Sequence, residues 1–343
     1  MAIENPMGTE GFGFLEVATH QPEKVDQQLK RLGFTPIAKH PTQHLTLYRQ
    51  NKINFILNAE PKTHAHDFST NHGDSISAMG FQVKDAKHAY ERAIKMGAIA
   101  STSNISLTLP AIQGVGGSLI YFVDDDKFLE QFFTETLNEK SNCKPGGLTY
   151  IDHLTHNVRQ GEMNKWCDFY INLFNFREIR HFDIHGQLTG LVSRAMTSPC
   201  NKIRIPINEA TDSKSQIEEF ITDFKGEGIQ HVALGTDDIY QTVENLKHNE
   251  VEFLDTPDVY FKMIHDRVPW HKEDLKRLQA DKILLDGTPT SEGGLLLQIF
   301  TQTMWGPVFF EIIQRKGNEG FGEGNFKALF EAIERDQIER GVL

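Results

Sequence analysis

Three short apolar stretches in the second half of the chain each carry one side chain that could hold a metal. They are His153 in "YIDHLTHN", His231 in "GIQHVAL" and Glu311 in "FFEIIQR". Each stretch reads as a strand of its own, and the three fall at nearly equal intervals. The last is apolar on both faces, with Val308, Phe309, Phe310, Ile312 and Ile313 around the carboxylate. A lone carboxylate buried there is costly unless something pairs with it. Two neutral imidazoles and one carboxylate form the donor set that holds Fe(II) and leaves positions open for substrate and oxygen. A closed set of four ligands would instead be structural. Alternation along each strand lets all three side chains point to one side of a curved sheet.

The chain has 15 His, so most of them are surface or core residues. His64 and His66 in "HAHD" are closer together in sequence, but they stand in a polar segment with nothing apolar to fix them. That segment reads as a solvated loop.

The elements that must position the three ligands recur along the chain. "GFGFLEVATHQPEKVDQQLKRLGF" is a strand followed by a helix with Val25, Leu29 and Leu32 at i, i+4, i+7 and Gly33 at its end. "LTYIDHLTHNVRQGEMNKWCDFYINLFNF" repeats the plan, with Met163, Trp166, Tyr170 and Leu173 on one face and Asn175 at the left-handed stop. Each half holds a second such unit. One has Asp85 as N-cap, a face of Ala89, Ala93 and Ile94, and Gly97 at its end; the other has Asp237 or Asp238 before Ile239, Val243 and Leu246. Short strands follow each unit, including "HLTLYRQNKINFILN", "GGSLIYFVDD", "KIRIPINEA" and "LLLQIFTQ". The expected architecture is α+β: four βαβββ modules in two domains, each an open mixed-sheet barrel with helices outside, plus a C-terminal helix. That helix carries Phe326, Leu329, Phe330 and Ile333, with Asn325 as its cap. The polar stretch "LNEKSNCKPGGLT" marks the link, giving domains at 1–140 and 146–343.

Laid side by side, "GFLEVAT" and "YIDHLTH" put Glu16 opposite His153. "SISAMGF" and "GIQHVAL" put Ala78 opposite His231, and "SLIYFVDD" puts Phe122 near Glu311. The first half therefore reads as a silent copy that supplies scaffold or interface.

Composition narrows the partners. A length of 343 residues exceeds the roughly 250–300 residues at which single cores stop growing, which favours two domains. A net charge of −12 argues against nucleic acid and against an anionic membrane surface. Three cysteines, an odd and sparse set without a CxxC pair, suit a reducing compartment. The N-terminus lacks a basic segment followed by an apolar run, and no apolar stretch is long enough to span a bilayer, so a cytoplasmic location is expected. The 24 Phe outnumber Tyr and Trp together, which suits either plain core or a pocket for an aromatic ligand.

The second half resembles the 4-hydroxyphenylpyruvate dioxygenase family of the vicinal-oxygen-chelate fold. The resemblance is carried in order by "IDHLTHNV", "PINEA", "KSQIEEF", "GIQHVAL", "LLLQIFT", "FFEIIQR" and "GFGEGNFKALF", across roughly residues 146–340. The first half resembles the family's non-catalytic domain more loosely. The resemblance implies one Fe(II) per chain held by His153, His231 and Glu311, and no organic cofactor. It implies conversion of 4-hydroxyphenylpyruvate and O2 to homogentisate and CO2, in tyrosine and phenylalanine catabolism, by decarboxylation, ring hydroxylation and side-chain migration. It further implies substrate contacts from Ser193, Asn208, Gln216, Gln230 and Gln298. An aromatic wall would come from Phe300, Phe309, Phe321, Phe326 and Phe330, with Asn325 beside it. "GNEGFGEGNF" becomes the hinge of a C-terminal lid. A homodimer or homotetramer is the family's habit. Two alternatives share the fold: hydroxymandelate synthase, which hydroxylates the benzylic carbon, and a metal-free binding protein. The intact "PINEA" and Phe309 favour ring hydroxylation over the first, and the complete triad argues against the second.

Overall fold

The i, i+4, i+7 stripes become the buried faces of helices laid over two curled sheets. The computed structural model describes residues 3–101, 104, 106–125, 127–138, 142–185, 190–213, 215–287 and 294–328. The first sheet contains β1 (Thr9–Ala18), β2 (Thr35–Lys39), β3 (Leu45–Gln50), β4 (Ile53–Asn58), β5 (Ser75–Val83), β6 (Ala111–Gln113), β7 (Leu119–Val123) and β8 (Glu135–Thr136). Its order is β6-β7-β5-β1-β4-β3-β2-β8. The second contains β9 (Leu148–Val158), β10 (Arg177–His185), β11 (Gly190–Thr197), β12 (Arg204–Ala210), β13 (Gly228–Thr236), β14 (Leu284–Gly287), β15 (Leu295–Phe300) and β16 (Phe309–Lys316). Its order is β10-β11-β12-β9-β13-β16-β15-β14.

The two sheets share one plan. β1 and β5 pair antiparallel at the centre of the first, flanked by parallel β4 and β7. β9 and β13 do the same in the second, flanked by parallel β12 and β16. The second half is thus two βαβββ modules joined through their first strands, as the repeat implied; in the first half the second module departs from the plan, with only β6 and β7 beside β5 and β8 paired with β2 at the opposite edge.

The helix signals behave as their chemistry requires. Val25 and Leu29 are buried in the helix Pro22–Arg31, with Leu32 buried at its C-cap. Asp85 and Asp238 cap their helices by accepting from the backbone N–H of His88 and Gln241, and Asn175 ends its helix left-handed. Ile94 departs from expectation: it is exposed at the edge of its helix. The "HAHD" segment departs further. It opens a helix, His64–His72, capped by Thr63, whose side chain accepts from His66 N. A ring nitrogen of His64 bonds Gly117 O at 2.8 Å, and His66 packs edge-on to His20. The Thr63 cap and these tertiary contacts supply the anchoring that the polar sequence did not advertise.

The halves pack closely. A Cβ on Gly33 (φ +88°) would lie 2.2 Å from Gly146 N, so only glycine permits that approach. Gln50 spans the same seam, donating to Leu32 O and accepting from Leu148 N. Among the described residues no helix is long and apolar enough to cross a membrane.

One buried carboxyl in the first half stands apart from the three expected ligands. Glu16 is 1% exposed, Ser77 Oγ donates to its Oε1 at 2.8 Å, and its Oε2 meets no donor among the described residues. Burial raises its carboxyl from the ordinary 4.5 to about 7, and hydrogen bonds from Ser77 and Asn58 offset only part of that. The folded chain therefore keeps a proton that the unfolded chain releases. The associated stability is complete below the unfolded pKa and is lost as pH rises through the folded one. Glu16→Gln should leave the melting temperature near pH 4.5 little changed and raise stability at pH 8 by up to about 3 kcal/mol. Calorimetry at both pH values checks this; an unaltered melting temperature at pH 8 would refute it.

Candidate active site

β9, β13 and β16 are consecutive in the second sheet, and Ala233 on β13 pairs with both His153 and Glu311. This register brings the three expected ligand side chains onto the concave face. His153 Nε2 lies 3.2 Å from Glu311 Oε2, and His231 Nε2 lies 3.5 Å from the same oxygen. One donor atom from each residue falls within 4.8 Å of the others. All three side chains are buried, and among the described residues no other trio of His, Cys, Asp or Glu gathers this closely.

Both histidines follow a register shift in the β9–β13 ladder. Asp152 is the extra residue on β9 and Gln230 the extra residue on β13. Each supplies the partner of its neighbour's ring. His153 Nδ1 donates to Asp152 Oδ1 at 2.8 Å, and His231 Nδ1 donates to Gln230 Oε1 at 3.1 Å. Both Nε2 lone pairs are thereby turned toward Glu311. Burial alone would raise the Glu311 carboxyl, but with the rings protonated the charge of His153 and the hydrogen bonds from His153 and His231 prevail and hold it at about 2. Gln298 Nε2 donates to its other oxygen, Oε1, at 2.7 Å. Oε1 is thus partnered by the amide, while Oε2 faces two imidazole lone pairs, an all-acceptor arrangement that fits a divalent metal.

A cavity of about 350 Å³ opens from the triad. Phe309 stacks on the His231 ring at 4.8 Å, and Phe321 meets His153 edge-on at 5.4 Å. Phe182, Phe300 and Phe326 complete the aromatic lining. The polar lining includes Ser193, Asn208, Gln216 and Gln230. Ser193 and Asn208 are cross-strand partners on β11 and β12, so they reach the same side.

Two expected contacts sit elsewhere. Gln298 and Asn325 do not line the cavity: Asn325 Nδ2 donates to Gln298 Oε1 at 2.7 Å, and Tyr260 OH donates to Asn325 Oδ1 at 2.6 Å. Asn325 is also not a helix cap, since the last described helix spans 323–328 and already contains it. Phe330, Leu329 and Ile333 lie outside the described residues. Asp152, Arg315 and Asn157 escaped the sequence reading. The signal for Asp152 was the one that marked Glu311, a charge inside an apolar strand; Arg315, between Gln314 and Lys316 at the polar end of its strand, carried none. Asn157 accepts from Asn208 Nδ2 at 3.2 Å and so steadies a cavity residue from behind.

The ladder shifts the correspondence between the halves. In the first sheet Phe14 pairs with Gly80 just after a register shift, as His153 pairs with Ala233. Glu16 pairs with Ala78 as Thr155 pairs with His231. Gly80 in turn pairs with Tyr121, where Ala233 pairs with Glu311. The triad positions of the first half are therefore Phe14, Ala78 and Tyr121, not Glu16, Ala78 and Phe122. The extra residues in the ladder, invisible to a gapless alignment, caused the slip. Phe14 and Tyr121 fill the would-be site with rings 5.8 Å apart.

Residues 150–264, which include His153 and His231, match the model of the glyoxalase/bleomycin resistance protein/dioxygenase superfamily. Residues 3–134 match the N-terminal model of hydroxyphenylpyruvate dioxygenase. A 4-hydroxyphenylpyruvate dioxygenase of Legionella pneumophila (strain Corby) is 55% identical, over 100% of this chain and 99% of the relative. One from Pseudomonas aeruginosa is 52% identical, over 99% of this chain and 97% of its own. A solved xylose isomerase-like TIM barrel/4-hydroxyphenylpyruvate dioxygenase fusion protein superposes with TM-score 0.83 at 30% identity. It covers 97% of this chain, which spans about half (54%) of the fusion. The fold is that of the glyoxalase/bleomycin resistance protein/dioxygenase superfamily. The chain belongs to the 4-hydroxyphenylpyruvate dioxygenase family.

Proposed function

We propose that the chain is an Fe(II)-dependent dioxygenase that converts 4-hydroxyphenylpyruvate and O2 to homogentisate and CO2 in tyrosine breakdown. The observation that carries this reading is the convergence of His153, His231 and Glu311 at the base of an aromatic-walled cavity, in a chain of this family. The donors lie 3.2–3.5 Å from the shared carboxylate oxygen, close to the roughly 3 Å that separates neighbouring ligands on one metal ion. When bound, Fe(II) would supply oxygen activation and a chelating point for the α-keto acid.

The residues divide the remaining work. Asp152 and Gln230 hold the tautomers of the two histidines. Phe309 and Phe321 flank the ring of a flat aromatic substrate. Ser193, Asn208, Gln216 and Gln230 offer donors and acceptors to a phenol. The loop 317–322 and the start of the helix beyond it bring Phe321 and Phe326 over the cavity, which excludes water during reaction. We assign residues 146–343 as the catalytic domain and 1–140 as its scaffold. The enzyme is proposed to act as a cytoplasmic homo-oligomer.

Mixing the Fe(II)-loaded chain with 4-hydroxyphenylpyruvate without oxygen should produce a visible charge-transfer band, and admitting O2 should yield homogentisate. No band and no product would sink the reading, while 4-hydroxymandelate would redirect it to benzylic hydroxylation. Ala78→His should leave one iron per chain by metal analysis, because Phe14 and Tyr121 still occupy the other two places. Two irons per chain would contradict this.

A further inference from the structure

Behind His153 lies a polar relay. Asp152, with its side chain wholly buried, is gripped by Arg315 from β16 through Nε to Oδ2 at 2.7 Å and Nη2 to Oδ1 at 2.8 Å. Arg204 from β12 adds a longer bond to Oδ2 at 3.4 Å. Burial opposes the charge on Asp152, yet Arg315 and His153 hold its carboxyl well below the usual range. The fork leaves Arg315 one nitrogen, Nη1, which donates to Asn318 O at 3.0 Å and Gly320 O at 2.7 Å. Its guanidinium also lies over the Phe321 ring at 5.8 Å, and that ring meets His153. Arg204 bonds Glu319 of the same loop. One planar group thus touches the partner of His153 and the backbone of the loop that carries Phe321. A lysine, with a single point of attachment, cannot make both contacts.

We propose that Arg315 is a positioning residue that couples the arrangement of the 317–322 loop to the setting of His153. The proposal rests on the metal reading of the triad. The coupling is reciprocal: an occupied triad fixes His153, Asp152 and Arg315 and so firms the loop, while an ordered loop holds the ring ready for metal. The first half provides a contrast, with Gly13 and Phe14 where Asp152 and His153 stand and so neither the carboxylate nor the imidazole of the relay.

Co(II) binding to the metal-free chain, followed by its visible absorption, is one readout. Amide hydrogen exchange across 317–322, with and without Co(II), is the other. In the unaltered chain Co(II) should slow exchange in the loop several-fold. Arg315→Lys should weaken Co(II) binding by about 10–100-fold, the usual cost of losing an outer partner. It should also abolish most of the metal-induced slowing, with exchange in β3 and β4 unchanged. If Arg315→Lys does not fold, Asp152→Asn/Arg315→Gln removes both charges together and is expected to give the same pair of losses. Unchanged Co(II) affinity, or a loop that still responds to metal in the folded variant, would overturn the proposal alone. An unaltered chain that binds no Co(II) would overturn the metal reading and this proposal with it.

Discussion

Replacing Glu311 with Gln is expected to lower turnover by more than about 100-fold and to weaken metal binding at least as much, since even outer partners of a ligand are worth 10–100-fold. The substitution keeps the shape and removes the charge. His153 and His231 then face a neutral group, and the donor set loses its one anion. Gln298 meanwhile directs an N–H at Oε1, which an amide can accept only in one of its two orientations. The fold should survive, because a neutral amide is cheaper to bury than a carboxylate. Oxygen uptake and metal titration on the same preparation test it. Near-normal turnover would remove Glu311 from the proposed site.

One residue earlier, the expected effect is on stability. Phe310 points away from the cavity, packing at 5.0 Å on Trp305 and 6.2 Å on Phe55 of the first half. It is fully buried. Phe310→Ala should cost about 3–5 kcal/mol through lost transfer energy and a cavity. At the sensitivity typical of domains this size, that is a fall of about 10 °C in melting temperature. A thermal melt reads it, and a fall under about 2 °C would contradict the packing role. The neighbouring substitutions thus separate the two faces of β16, one serving chemistry and the other joining the halves.

The same strand explains what could be read in advance. A carboxylate between Phe310 and Ile312 is anomalous in any account except one with partners, so Glu311 announced itself. His153 and His231 became legible because three similar strands recurred at similar intervals. Four modules were visible since their helices carry strong stripes and clear caps. Strand β10 was missed because "REIRHFDIH" spreads charge along its length and offers no apolar run. The helix at His64–His72 was missed because tertiary contacts, rather than a stripe, hold it. Gln298 was assigned to substrate since an amide in an apolar strand looks the same whether it serves ligand or protein. Only the three-dimensional neighbours, Glu311 and Asn325, tell these apart.

The paired register shifts carry one more consequence. The first sheet keeps both, with Gly13 and Ser77 as its extra residues where the second has Asp152 and Gln230. Its main chain is therefore still the mould of a binding centre, while the side chains that would fill it are Phe14, Ala78 and Tyr121. Rebuilding a second centre would be a repacking problem, in which two large rings leave and their hydrophobic neighbours accept charge, with no change of topology. The same backbone device that aims two imidazoles in one half lies unused in the other.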